Sequence, residues 1–179
     1  MKKYVAILFV LGAFLMTTDI NAQGFPGLQK SPTDIAYAKA DRRAKPTIKV
    51  IYSRPQKKDR DIFGALVPHD KVWRTGADEA TEIKLFQDYN MGGTTVKAGT
   101  YSLFSIPGEK EWTIILNSDL DSWGAYFYDE SKDVARITVP IAATPETLEA
   151  FGVYFKTVEK GYHMVLGWDN TQVEVPFYN

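Results

Sequence analysis

Short segments rich in β-branched and aromatic residues recur about every 8–12 residues along this chain, with glycine, proline or polar clusters between them. That rhythm restricts the chain to a β architecture. In Thr47–Tyr52, Ile48 and Val50 fall on one face and Lys49 on the other, a strand period of two. Proline at Pro55 ends the pattern, because proline gives no N–H to a ladder. Ile62–Val67 is apolar but broken by Gly64 and stopped by Pro68, so it reads as a turn tucked under a sheet. Glu82–Phe86 alternates again. Met91-Gly92-Gly93-Thr94 is a hairpin signal, since two glycines accept the positive φ of a tight turn. Thr100–Ile106 and Trp112–Leu116 follow as strands around a Pro107-Gly108-Glu109-Lys110 turn. Trp123–Tyr128 and Ala135–Val139 read as two more.

Thr144-Pro145-Glu146 has the marks of a helix start: a capping residue, proline at the first helical position and an early acid. Phe151, Val153 and Phe155 then alternate with Gly152, Tyr154 and Lys156. At most one short helical turn is therefore expected, followed by a strand over about 149–157. Tyr162–Trp168 and Gln172–Phe177 close the chain as a hairpin around Asp169-Asn170. The sum is an all-β chain: a single antiparallel β-sandwich or jelly roll of about ten short strands, with a partly open barrel as the alternative.

Lys2 and Lys3 precede an uncharged, mostly apolar run from Tyr4 to Met16, and Ile20-Asn21-Ala22 offers a small residue for cleavage. Residues 1–22 are expected to be a signal peptide, residues 23–31 a flexible leader and residues 32–179 one β-sandwich domain. The apolar run is shorter than the roughly 20 residues a spanning helix needs, so no membrane span is expected after cleavage. The protein is expected to be exported, to the periplasm or outside the cell. It has no cysteine, which excludes disulfides and a lipidated cysteine. The core must then hold the exported fold by itself. A formal net charge of −1 argues against nucleic acid as a partner, because phosphate binding needs a strong positive field.

Two histidines, His69 and His163, fall short of the three or four ligands of a zinc site, and Asp119, Asp121 and Asp129 lack the glycine and glutamate of an EF-hand. No metal or cofactor is expected. There is no Gly-x-Ser-x-Gly motif to mark a nucleophile. The arginines carry more. Arg54 stands at a strand end before Pro55, and Arg74 lies between Trp73 and a polar turn with Asp78 and Glu79. A guanidinium offers a planar donor fork suited to carboxylates and phosphates. Arg54, Trp73, Arg74, Glu79 and Tyr101 are the candidate ligand-binding residues, with the aromatics giving flat apolar contact. The plainer alternative pairs Arg74 with Asp78 or Glu79 to fix a turn. Lys57, Lys58 and Arg60, offset by Asp59 and Asp61, read as a solvated loop. Trp112, Trp123 and Trp168 read as core or rim aromatics.

Three blocks stand out together: Tyr52-Ser53-Arg54-Pro55, Val72-Trp73-Arg74-Thr75-Gly76-Ala77 with Glu79-Ala80-Thr81, and Ala98-Gly99-Thr100-Tyr101-Ser102-Leu103-Phe104. With Arg60-Asp61-Ile62-Phe63-Gly64 and Ile106-Pro107-Gly108, they make the chain resemble the domain-of-unknown-function family numbered twenty-nine eleven, of secreted bacterial proteins. The resemblance covers about residues 31 to 178. The chain departs from it at Asp78, where asparagine is more usual, and at Asp59, where glycine is. It implies export and the β fold, and no activity.

The residues favour a non-enzymatic envelope module that binds a small polar molecule, a glycan or a protein partner. One alternative is a hydrolase or lyase using Asp78 or Glu79 as acid or base with Arg74. Another is a structural or assembly domain that pairs through exposed sheet edges.

Overall fold

A computed structural model describes residue 24 and residues 27–179 of the chain. The expected signal peptide, residues 1–22, lies outside the described residues, as do residues 23, 25 and 26 of the expected leader. The described residues form nine strands: β1 (Thr33–Ala38), β2 (Ile48–Ser53), β3 (Thr81–Leu85), β4 (Tyr89–Met91), β5 (Thr94–Val96), β6 (Gly99–Pro107), β7 (Glu111–Asn117), β8 (Asp133–Val158) and β9 (Gly161–Tyr178). All pair antiparallel, in the order β1-β2-β3-β6-β7-β8-β9-β4-β5. Among the described residues no helix is long and apolar enough to cross a membrane.

The alternation read from β2 and β3 is kept. Ile48, Val50, Tyr52, Ile83 and Leu85 face the core, and the residues between them are half-buried or exposed. In β6 and β7 it breaks down: Ser102–Ser105 and Ile114–Asn117 are buried on both faces. The segment after β7 folds over the outer face and brings Tyr128 edge-on to Phe104, with ring centroids 5.1 Å apart. Asn117 donates to the Asp129 carbonyl and to Asp133, and Ser102 donates to the Asp119 carbonyl.

Two strands are long, and each replaces two expected short ones. The first part of β8 pairs with β7 up to Pro140, and its remainder pairs with β9, so one strand serves both sheets. Strands that switch sheets in this way form the corners of a sandwich. β9 folds back on itself at Asp169, where φ is +54°. A straight run from residue 161 to 177 would span roughly 50 Å. Instead Asn179 donates to the Lys160 carbonyl at 2.9 Å and His163 meets Glu174 at 3.1 Å. The expected closing hairpin is therefore present within β9.

The helical turn that the sequence allows at Thr144 does not form there. The Thr144 hydroxyl donates to the carbonyls of Glu146 and Asp169, which ties it to the tip of β9. Residues 144–148 form an irregular stretch of β8 that wraps the tip of β9, where Thr147 bonds Asn170. Among the described residues one helical turn forms, at Glu130–Lys132, capped by Asp129, which accepts from the Ser131 N–H. The strand expected at Trp123–Tyr128 is a turn with a single bridge, Glu79 to Trp123. Left-handed backbone at Asp121 and Gly124 bends the chain there.

Residues 54–57 run on from β2 and hydrogen-bond to β8. Phe151 donates to the Pro55 carbonyl at 3.0 Å, Lys57 donates to the Glu149 carbonyl at 2.6 Å, and Gln56 bridges Ala150. Beneath this seam lies an aromatic cluster of Phe63, Trp73, Trp112, Phe151 and Trp168, with ring centroids 4.9–6.4 Å apart. Each ring buries a large apolar area, and each well-set pair adds about 0.5–1.5 kcal/mol.

Candidate functional site

The Trp73–Thr81 loop is held as firmly as a strand. Trp73 and Ser105 exchange both backbone hydrogen bonds, at 2.7 and 2.9 Å. The fully buried Thr75 hydroxyl lies 2.9 Å from the Ser105 hydroxyl. Thr81 reaches back twice, from its hydroxyl to the Thr75 carbonyl and from its N–H to the Arg74 carbonyl. Gly76 leaves no room for a side chain, because a Cβ there would lie 3.0 Å from the Ser53 carbonyl oxygen. These contacts hold Thr75 at φ +54° and Asp78 at +59°. A β-branched residue at positive φ is strained, and such strain persists only where the surroundings enforce it.

The loop walls a cavity of about 350 Å³. Trp73, Trp168, Leu66 and Val67 form its apolar part, and Lys30, Lys58, Arg60 and Arg74 bring four cationic side chains to it, against one acid, Asp78. Among the described residues none of those four cations forms an ion pair. Arg74 in particular does not pair with Asp78 or Glu79, which removes the plainer reading of the sequence. Its Nε is buried and has no hydrogen-bond partner among the described residues. A buried donor left unpaired costs about 1–3 kcal/mol, more when charged.

The opposite wall is the loop that the sequence marks as a solvated charge run. Arg60 donates from Nε to the Lys57 carbonyl at 2.9 Å and from a terminal nitrogen to the Gln56 carbonyl. Lys57 is tied to Asp169 at 3.1 Å and to the Arg60 carbonyl at 2.7 Å. The Lys58 N–H donates to Glu149, and both Lys58 and Asp59 have left-handed backbone. Arg60 is thus fixed through neutral carbonyls and its charge stays available, whereas Lys57 is paired with Asp169.

The five sequence-predicted residues divide. Trp73 and Arg74 line this cavity. Trp73 is itself buried, with its indole N–H donating to the Gly76 carbonyl at 3.0 Å, so its ring face forms wall more than platform. Arg54 lines a different cleft, donating to the Phe151 carbonyl at 3.0 Å and to Asp34 at 3.1 Å. Glu79 opens onto two further clefts, and Tyr101 donates to the Lys97 carbonyl and lines none of these spaces. The expected convergence of Arg54, Glu79 and Tyr101 with Arg74 does not occur. Lys30, Lys58, Arg60 and Trp168 take part instead. The signal for the loop cations was in the sequence: three cations within four positions, whose two interleaved acids proved not to pair with them.

The cavity can accept a small anion whose flat or apolar body rests against the tryptophans. Oxygen lone pairs would meet the guanidinium fork of Arg74 in an environment partly shielded from water, where charge-assisted bonds are strong. Among the described residues no group of three or more histidine, aspartate or glutamate side chains is set to hold a metal. No curated protein and no solved structure matches the chain. The family model described as a protein of unknown function, DUF2911, matches residues 31–177.

Proposed function

The chain belongs to the DUF2911 family of unknown function, and from that premise we propose that it is an exported, non-enzymatic binding module that takes a small anionic ligand in the Arg74 cavity. The basic Lys2-Lys3 pair and the apolar run behind it support export. One observation carries the binding reading. Arg74 faces a cavity with three other cations and its side chain has no partner among the described residues, although two carboxylates lie within five positions of it in sequence. A protein that needed Arg74 only for folding would satisfy it from within.

Thermal-shift and calorimetric titration with inorganic phosphate and with succinate test this. The wild type is expected to gain stability with either anion, more weakly as salt rises. Arg74→Gln and Lys58→Ala, the latter on an exposed loop, are expected to lose that gain while Arg54→Ala keeps it. Equal response in all four proteins would sink the proposal.

Asp78 shares the cavity with Arg74, and this favours one second reading: a hydrolase or lyase with Asp78 as acid or base and Arg74 stabilising an anionic intermediate. Glu79 lines other clefts and is not the acid in this reading. Turnover of phosphate or acyl esters by the wild type and not by Asp78→Asn would decide for it.

A further inference from the structure

We propose that the ligand is an acidic saccharide, a uronic acid or a sugar phosphate, whose charged group sits with Arg74 while its ring stacks on Trp123. The proposal rests on the anion-binding reading above and names the ligand class. A second cleft, of about 120 Å³, adjoins the Arg74 cavity, and Asp78 lines both. Its other walls are Gln29, Thr33, Ser53, Glu79 and Trp123. Through Thr33, Ser53 and Glu79 it continues into a third cleft, of about 190 Å³, that reaches Glu82 and Asp121. The three spaces are linked in series by shared lining residues, with cations around the first and carboxylates around the last.

Trp123 is 59% exposed, which is costly for so large an apolar side chain. Its exposure is not slack in the loop. The Glu79–Trp123 bridge, the Ala80 N–H to the Ser122 carbonyl at 2.9 Å and the Gly124 N–H to the Asp78 carbonyl at 3.0 Å hold its backbone on both sides. The same Asp78 thus lines the cavity and gives its carbonyl to the Trp123 turn. Tyr126, 79% exposed, lays its ring over Gly124 and extends the aromatic surface.

The chemistry of this series of spaces is asymmetric. An exposed indole offers a flat apolar face, which suits the C–H face of a pyranose ring. Asp78 and Glu79 accept hydrogen bonds from hydroxyls, and Gln29, Thr33 and Ser53 both give and accept them. A second phosphate beside those carboxylates would be repelled. The fitting molecule is therefore negative at one end only and rich in hydroxyl donors at the other.

Calorimetry on the full chain separates this inference from the one beneath it. The probes are inorganic phosphate, glucose 6-phosphate, glucuronate and neutral glucose. Wild-type protein is expected to bind the two sugar acids roughly tenfold tighter than phosphate and to leave glucose unbound. Trp123→Ala is expected to remove that advantage, with phosphate affinity and melting temperature unchanged because the side chain is exposed. Arg74→Gln, or Lys58→Ala should the arginine variant unfold, is expected to weaken all three anions. If sugar acids bind no tighter than phosphate, or if Trp123→Ala keeps their advantage, the saccharide inference falls and anion binding stands. If no anion binds, both fall.

Discussion

Arg54 and Arg74 begin alike in the sequence, each beside aromatic residues and a turn, and end with opposite roles. Arg54 gives its Nε to the carbonyl of the buried Phe151, so it closes the seam between β2 and β8. Its bond to Asp34 joins two half-exposed side chains and contributes little. Arg54→Ala is expected to lower unfolding free energy by about 1–3 kcal/mol, through the carbonyl left unpaired, when measured by urea denaturation. Arg74→Gln, which removes a buried charged donor that has no partner among the described residues, is expected to raise it by about 1 kcal/mol or more in the same measurement. Tyr128 is a third informative residue. Burial first, and then its bond to Asp133, push its phenol up from the ordinary 10.0 to about 12. A raised folded pKa means that the stability it contributes is complete below pH 10.0 and is lost as pH climbs towards about 12. Between those values the wild type is expected to lose more stability than Tyr128→Phe, and ultraviolet titration is expected to show Tyr128 ionising after the exposed tyrosines, together with Tyr52 and Tyr89, whose phenols burial also raises.

At the level of elements, tight approaches set the costs. Gly161 opens β9 with φ of +136°, and a Cβ there would lie 2.1 Å from the Phe177 carbonyl oxygen. Gly161→Ala is expected to cost about 3 kcal/mol or more by urea denaturation, against about 1–2 kcal/mol for Gly93→Ala, where φ is +89° but the space is open. The period-two strands β2 and β3 and the glycine turn between β4 and β5 were legible in the sequence, because each is decided by its own residues. Residues 144–148 were not. Thr144-Pro145-Glu146 carries a valid helix-start pattern, and only the tip of β9, more than twenty positions on, supplies the partners that override it. Trp123–Tyr128 misled for a related reason, since its aromatics look like strand residues but are held in a turn by Asp78 and Ala80. The candidate site was half legible. The Trp73–Arg74 pairing of apolar ring and guanidinium is local, whereas the approach of Lys58, Arg60 and Trp168 depends on how loop 56–61 meets β8 and β9.

Across the whole molecule the two sheets share one strand and one aromatic cluster. Trp73 comes from the loop before β3, Trp112 from β7, Phe151 from β8 and Trp168 from β9, so losing any sheet exposes the same tryptophans. Tryptophan fluorescence and far-ultraviolet circular dichroism are therefore expected to report one coincident urea transition. Two separated transitions would show that the sheets unfold independently. The seam at residues 54–57 has a consequence in time as well as in energy. Arg54 and Phe151 lie 97 positions apart, and loops of that length close late and slowly. The bonds of the seam are therefore expected to form in the last stretch of folding, after the barrier has been crossed. Loosening it would leave the refolding rate almost untouched and shorten the lifetime of the native state. For a chain without disulfides, resistance to a protease would then be governed less by how deep its free-energy well is than by how seldom that one latch lifts.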